Sequence, residues 1–458
     1  MSFTLKSCFM MLPPVSLKNF GHYNMRLQWP QDDAFITCLP RRIFNNTQRS
    51  MKQFFLSCPK GLESLLEEEC RKFLGESLTG LRASDGGIKV DTDIKNFLPY
   101  LLSTRLASRG YMQLGQWPIN RLQDLYDLSR NFEFESWMDW RQTFKITTLF
   151  DLKAKYVLNN SLLASQIFKD GLVDRFRDVT GNRPTVDVKH SQISFLLRIE
   201  ESRNTSKIAP FMLTFYVDMT GIPLSNRGYR APGHEAPLRE NIAAAMVMWA
   251  NFGEQAEILV DPFVGTGTIL IESAMILAKV PPSFLKLRDW TKGRRPYDML
   301  EHLWFQNNSA LNSQLSDWAN TQVTMGEKSL LKIPSGILWG SDLDPNAILL
   351  AKKNLARLGL DRTVRLSEGN ALTMMPPGPP PGVVVTNPPY GERMGTPEES
   401  AELFFNLSEH LKNNYKGYRA YLLAGDPKMH KGIHLKTSCK KPVRNGDIEC
   451  RVLGYNLF

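Results

Sequence analysis

A chain of 458 residues, 42% hydrophobic and 22% charged, is too long for one ordinary domain and too apolar to stay disordered, so two or three packed domains are expected. Its net charge of +10 suits a polyanionic partner, but the basic residues are spread along the chain, and any nucleic-acid surface must come from local patches. No apolar run reaches the roughly 18 residues of a membrane span, and the six cysteines (Cys8, Cys38, Cys58, Cys70, Cys439 and Cys450) contain no C-x2-C pair, which argues against zinc and for a reducing, cytoplasmic setting.

Residues 1–50 are interrupted by Pro13, Pro14, Pro30 and Pro40 and lack a signal-peptide pattern. They read as a disordered extension; a transit peptide, or a start at Met51, are the alternatives. From Lys52 a compact pattern begins. Phe54-Phe55-Leu56 reads as a strand, and Leu62, Leu65, Leu66 and Phe73 lie at helical spacing up to Gly75. Strands near Leu78–Ala83 and Ile88–Val90, a helix through Ile94, Phe97, Leu101 and Leu102, and a closing strand at Met112-Gln113-Leu114 follow. The order βαββαβ over residues 51–118 is ferredoxin-like.

Residues 119–222 read as a second α+β domain. Its strands are expected at Phe144–Phe150, Thr185–Val188, Ile193–Ile199 and Met212–Asp218, with a helix at Leu162–Val179. Lys169, Arg175 and Arg177 on that helix could track phosphates; a charged face in water is the alternative.

Residues 223–458 read as a third, α/β domain. Pro237 suits the first turn of an Ala- and Met-rich helix ending near Trp249. The strand Ile258-Leu259-Val260, the turn Asp261-Pro262-Phe263-Val264-Gly265-Thr266-Gly267 and a helix to Ala278 open a doubly wound sheet. Residues 281–335 stand outside that pattern as an insertion. Its Lys286, Arg288, Lys292, Arg294 and Arg295 alternate with Trp290 and Tyr297, a mixture that can grip single-stranded nucleic acid or simply form a solvated insertion. Strands follow at Ile337–Gly340, Thr363–Leu366 and Val383–Val385, then a helix at Ser400–Lys412 and a strand at Arg419–Ala424. A basic tail with Lys428, Lys431, Lys436, Lys440, Lys441 and Arg444 precedes a final strand at Ile448–Leu453.

The chemistry is carried by the ends of these strands, where ligands of open α/β sheets sit. The glycine turn lacks the P-loop Lys-Ser/Thr and the third glycine of a dinucleotide site. Asp261 can face an ammonium group, and Gly265 and Gly267 let backbone approach an amino-acid moiety. Asp342 after the second strand can bind both ribose hydroxyls, and Asn370 after the third can pair with an adenine edge. That set matches S-adenosyl-L-methionine. After the fourth strand comes Asn387-Pro388-Pro389-Tyr390. The prolines stop ladder pairing and hold an extended corner. Asn387 and the Pro388 carbonyl can both accept from one planar amine while Tyr390 stacks on its base, which is catalysis by orientation and electrostatics. A strand followed by a proline turn is the plainer alternative. Glu272 reads as structural, and no metal-ligand cluster appears.

Asp261–Gly267, Asn387–Arg393, Lys60-Gly61-Leu62-Glu63, Arg105-Leu106-Ala107-Ser108-Arg109, Arg227-Gly228-Tyr229-Arg230 and Ala236-Pro237-Leu238-Arg239-Glu240 together resemble the class I methyltransferases that carry a THUMP domain. Within that family the likeness is to the bacterial 23S rRNA guanine-N2 methyltransferases of the RlmL type. The resemblance implies a ferredoxin-like domain, a THUMP RNA-binding domain and a Rossmann-like catalytic domain, with Asn387, Pro388, Pro389 and Tyr390 catalytic. It also implies that Arg239, Asp261, Pro262, Gly265, Gly267, Asp342, Asn370 and Asn387 hold the methyl donor. The implied product is N2-methylguanine in large-subunit rRNA or its precursor particle. Phe263-Val264-Gly265-Thr266 also resembles tRNA-modifying THUMP enzymes, so a tRNA target is the first alternative. Amine methylation of adenine, cytosine or a glutamine side chain, and a non-catalytic RNA-binding assembly factor, are the others.

Overall fold

The computed structural model describes residues 51–202, 209–230, 238–253, 257–389, 396–425, 433 and 435–458. The readings of residues 1–50, Ala236, Pro237, Tyr390, Gly391–Arg393, Lys428 and Lys431 fall outside them. Among the described residues there are two seven-stranded sheets.

The first sheet begins with the expected βαββαβ order: β1 (Met51–Ser57), α1 (Glu63–Leu74), β2 (Gly80–Ser84), β3 (Gly87–Asp93), α2 (Ile94–Ser103) and β4 (Arg109–Ile119). These strands are antiparallel in the order β2-β3-β1-β4. Leu62, Leu66, Cys70 and Leu74, one helical turn apart, form the inward face of α1. Phe73, expected on that face, is instead 46% exposed and leans on Tyr100 with ring centroids 5.3 Å apart; it lies one residue off the four-residue repeat.

The sheet does not stop at the ferredoxin-like unit. Next come α3 (Asp124–Arg130), β5 (Phe144–Phe150), α4 (Leu152–Leu158), α5 (Ser161–Thr180), β6 (Ile193–Glu201) and β7 (Phe211–Asp218). β4 is much longer than the expected closing strand, because it pairs with β1 through its first half and with β7 along nearly its whole length. The continuous order is β2-β3-β1-β4-β7-β6-β5. The strand expected at Thr185–Val188 is absent; a single bridge joins Val186 to Phe144. Val186 and Val188 are both exposed, so extended pairing there would bury nothing. On α5 the three cations face carboxylates: Lys169 meets Asp170, Arg175 meets Glu135, and Arg177 meets Asp174. The phosphate-tracking reading of that helix therefore loses its free charges.

The second sheet is built from α6 (Glu240–Trp249), β8 (Ile258–Asp261), α7 (Thr268–Leu277), α8 (Phe284–Trp290), α9 (Leu303–Gln306), α10 (Ser309–Leu330), β9 (Leu338–Asp342), α11 (Pro345–Ala356), β10 (Arg365–Glu368), β11 (Gly382–Thr386), α12 (Pro397–Asn414), β12 (Tyr418–Ala424), β13 (Thr437–Asn445) and β14 (Ile448–Asn456). Its order is β10-β9-β8-β11-β12-β14-β13, parallel from β10 to β12 and antiparallel at β14 and β13. The connections reverse direction between β8 and β11, which makes that gap the switch point where ligands bind. The segment expected to be a basic tail contains β13. It is an edge strand, anchored by buried Val443 and Asn445 and otherwise largely exposed, with Lys440 and Lys441 in solvent; charge on an edge blunts stray pairing.

The insertion is a packed helical element. α10 rests on α2 and α8. Lys286 and Tyr297 are buried, with the ammonium 5.4 Å from the ring centre. Burial, aided by the nearby Arg227 charge, pulls the Lys286 pKa down to about 7. Arg294 pairs with Asp289 and Arg295 with Glu301. The interleaved basic-aromatic pattern is thus in part a core pattern.

The two sheets meet through polar groups. Arg105 Nη2 donates to the carbonyls of Met275 (3.0 Å) and Val280 (2.7 Å). Arg227 Nη2 donates to the Arg105 carbonyl, and Glu272 Oε1 accepts from Arg227 Nε and Tyr229 Oη at 3.4 Å each. Asn241 Nδ2 reaches Ser108 Oγ at 3.2 Å.

Candidate active site

Four strand ends converge at the switch point. β11 is buried throughout its length, so the polar groups that follow it are held on a rigid support. Thr386 Oγ1, fully buried at its end, donates to Asp261 Oδ1 at 2.6 Å and ties β11 to β8. The Phe263 amide adds a second, longer bond to the same oxygen at 3.3 Å. Among the described residues no Lys or Arg pairs with Asp261, which is 1% exposed. Burial first, and then the Asp342 charge, raise its pKa to about 7 against the pull of the two hydrogen bonds.

The glycine turn follows directly. Gly265 adopts φ +50° and donates its amide to Asp342 Oδ2 at 2.9 Å, locking β8 to β9. A Cβ placed on Gly265 would meet nothing within 4 Å, so the turn faces open space. Gly267, at φ +81°, opens α7 and lies against Ala351 of α11. Asp342 is half-buried, and its second oxygen accepts the Asp344 amide at 3.1 Å. Pro262 is buried, with its carbonyl 3.4 Å from Ser341 Oγ.

Asn387 stands one residue beyond Thr386. Its Oδ1 is sealed from solvent and has no hydrogen-bond partner among the described residues. A buried amide oxygen left this way costs about 1–3 kcal/mol, which marks it as an acceptor awaiting a donor. Pro388 is buried and Pro389 half-buried, so the corner is packed into the fold.

Asp261, Pro262, Gly265, Gly267, Asp342 and Asn387 are thus brought together. Asn370 is exposed just past the end of β10, and its Oδ1 accepts the Leu372 amide at 2.9 Å in a local turn. The neighbouring Gly369 amide bonds the Asp342 carbonyl at 3.0 Å, so that strand end abuts the site. Arg239 behaves differently. It caps α6 through its backbone, and its guanidinium lies next to Gly446 in the turn between β13 and β14. The arginine that reaches the glycine turn is Arg230: Nη1 contacts Thr266 Oγ1 at 3.4 Å, while Nε and Nη2 hold Glu240 (2.6 Å) and the Leu238 carbonyl (2.7 Å). Asn354 of α11 supports the turn from below, donating to the Thr266 carbonyl at 2.9 Å. Sequence reasoning missed Thr386, Arg230 and Asn354 as site residues. Signals existed for two of them: a hydroxyl closing an apolar strand just before Asn387, and the Arg-Gly-Tyr-Arg stretch.

Chemically, the site offers an uncompensated carboxylate for a cation, a second carboxylate beside a glycine turn for hydroxyl groups, and an unsatisfied oxygen for an N–H donor. Among the described residues no group of His, Cys, Asp and Glu could hold a metal ion, and no helix is long and apolar enough to cross a membrane.

Residues 227–453 match the RMKL-like methyltransferase domain, residues 120–205 the THUMP domain, and residues 53–109 the RlmL ferredoxin-like domain. A protein of Shewanella amazonensis named ribosomal RNA large subunit methyltransferase K/L is 32% identical over 409 residues, which are 89% of this chain and 53% of that protein. Its namesake in Allochromatium vinosum is also 32% identical over 409 residues, 88% of this chain and 51% of that one. The chain therefore spans about half the length of the curated relatives it matches. Among solved structures, SMU.472 complexed with SAH aligns with a TM-score of 0.70 at 22% identity, covering 90% of this chain and 99% of that one. TrmN from Thermus thermophilus aligns with a TM-score of 0.59 at 17% identity, covering 89% and 100%. At such identities these two likenesses speak for the fold.

Proposed function

The chain belongs to the THUMP-containing class I methyltransferases of the RMKL-like type, and from that premise we propose that it methylates RNA with S-adenosyl-L-methionine as donor, at the exocyclic N2 amine of a guanine in 23S large-subunit rRNA, in the cytoplasm. The name of the relatives, ribosomal RNA large subunit methyltransferase K/L, supports the rRNA part. The observation that carries the chemistry is the unpartnered Asn387 Oδ1 at the switch point, beside the Asp261–Gly267 turn.

The residues present fit the donor. Asp261 would face its ammonium, since no Lys or Arg pairs with it among the described residues. Asp342 would take ribose hydroxyls, the open side of Gly265 would admit its backbone, and Asn370 Nδ2 would reach the base. When bound, S-adenosylmethionine supplies a methyl group activated by its sulfonium charge. Everything else falls to this chain's own groups. Asn387 Oδ1 and the Pro388 carbonyl accept the two N–H bonds of the target amine, so its lone pair is held out of the purine plane and aimed along one direction. Tyr390 would close the stack on an extruded base, a role that rests on sequence alone. In this reading residues 51–118 and the THUMP segment 119–222 carry the RNA, and residues 223–458 the chemistry.

The test is to incubate the protein with unmodified large-subunit rRNA and labelled donor, digest the product and identify the nucleoside. N2-methylguanosine is expected. Label in N6-methyladenosine, or incorporation only into tRNA, would move the assignment to those substrates.

A further inference from the structure

The hairpin β13–β14 lies at the catalytic end of the second sheet. The register fixes this: Thr386 of β11 pairs with Leu422 of β12, Leu422 with Leu453 of β14, and Leu453 with Lys440 of β13. Residues 443–450 therefore extend past the carboxyl ends of β11 and β12, on the side where Asn387 begins. Three strand spacings, about 14 Å, separate β13 from β11.

This hairpin carries a row of cations. Alternation puts Lys440 and Arg444 on one face of β13, and Arg451, opposite Pro442, on the same face of β14. Lys441 points to the other face. Lys440, Lys441 and Arg444 are exposed. The carboxylates at the tip are Asp447, fully exposed 3.7 Å from Arg444, and Glu449 across the ladder from Arg444. Positive charge remains in excess.

A turn from the other sheet completes the row. The Arg444 amide donates to the Lys60 carbonyl at 3.0 Å, so the Pro59–Gly61 turn covers the free edge of β13. Gly61 sits there at φ +97°, and a Cβ on it would fall 2.1 Å from the Pro442 carbonyl oxygen. The approach is built for glycine and places the exposed Lys60 beside Arg444. No carboxylate pairs with Lys60, Lys440 or Lys441 among the described ion pairs.

We propose that Lys60, Lys440 and Arg444 form a composite phosphate track across the junction of the two sheets, holding the RNA strand that flanks the target base. The proposal rests on RNA being the substrate and adds where its backbone runs. Exposed cations in excess at the catalytic end, with Lys60 and Lys440 free of ion-pair partners among the described residues and only Pro442 between Lys440 and Arg444 on their face of β13, suit a chain of phosphates.

The test compares a Lys60→Ala/Lys440→Ala/Arg444→Ala variant with the native chain on in-vitro-transcribed large-subunit rRNA. The RNA KM should rise roughly tenfold. The slope of log affinity for RNA against log salt should flatten by about 2, at roughly 0.7 for each phosphate no longer neutralised, while donor affinity stays native. A Lys328→Ala/Lys332→Ala control, two exposed lysines of the insertion, should change neither. A Lys60→Arg/Lys440→Arg/Arg444→Lys variant, which keeps the charge, should keep the native KM; a loss there too would assign the effect to packing and overturn the track. Native KM and salt slope in the alanine variant, with native methyl transfer to rRNA intact, would also overturn it and leave the proposed function standing. Absence of transfer to rRNA by the native chain would remove both.

Discussion

Two carboxylates eleven positions apart, Asp261 and Glu272, are both buried in the same βα unit, yet their surroundings are opposite. Glu272 sits in the junction between the sheets, where Arg227 and Arg105 oppose the effect of its burial. Asp261 sits at the switch point with a hydroxyl and an amide but, among the described residues, no cation, and burial lifts its pKa to about 7. A carboxylate compensated within the chain holds the fold together. One left uncompensated at a strand end is a place for a ligand's charge.

Removing a partner should separate the two roles. The largest effect is expected at the junction: Glu272→Ala strands Arg227 and Arg105 and should lower stability by about 3–5 kcal/mol, read from denaturant unfolding. At the switch point Asn387→Ala should lower methyl transfer roughly 100- to 1,000-fold, as loss of one preorganised hydrogen-bonding group does elsewhere. Donor binding by calorimetry should stay nearly native; full activity would sink the assigned role. Asp261→Asn, which keeps the Thr386 contact possible, should weaken donor binding by about tenfold, the scale of one charge-assisted bond, without loss of unfolding stability. A parallel loss of stability would make Asp261 structural, like Glu272.

The pH dependence sharpens the same contrast. Folded Asp261 keeps its proton up to about pH 7, whereas an unfolded chain releases it near 4. Between those values the folded state binds more protons, so the contribution of Asp261 to stability falls as pH rises from about 4 to about 7 and is flat above. Donor affinity should rise over the upper part of that range as the carboxylate becomes available. Melting temperatures against pH should show a shallower decline in Asp261→Asn than in the native chain. The smallest effect is expected far from both regions: Arg177→Ala removes an exposed pair with Asp174 and should change stability by less than about 0.5 kcal/mol.

Much of this is legible in the residues themselves. Strand ends announce themselves where apolar runs stop, and the identities of Asp261, Gly265, Gly267, Asp342 and Asn387 follow from the chain because each lies directly after such a run. The ferredoxin-like order is readable for the same reason: the 3.6- and 2-residue periods are local. Phe73 and the Thr185–Val188 stretch depart from expectation because local pattern does not say which apolar side chains find a neighbour. β13 escapes detection because an edge strand with lysines outward has no apolar alternation to reveal it.

What the sequence determined alone was therefore the set of groups and their order along the strands, since each is coded within a few residues. What only the tertiary structure decided was partnership. It placed Arg230 rather than Arg239 at the glycine turn, and buried Lys286 and Tyr297, which the chain shows only as basic and aromatic. It also joined Lys60 to Arg444 across more than 380 residues. These pairings depend on sheet register and packing, and the free energy of a charged group is set by what surrounds it in space rather than by its neighbours in the chain.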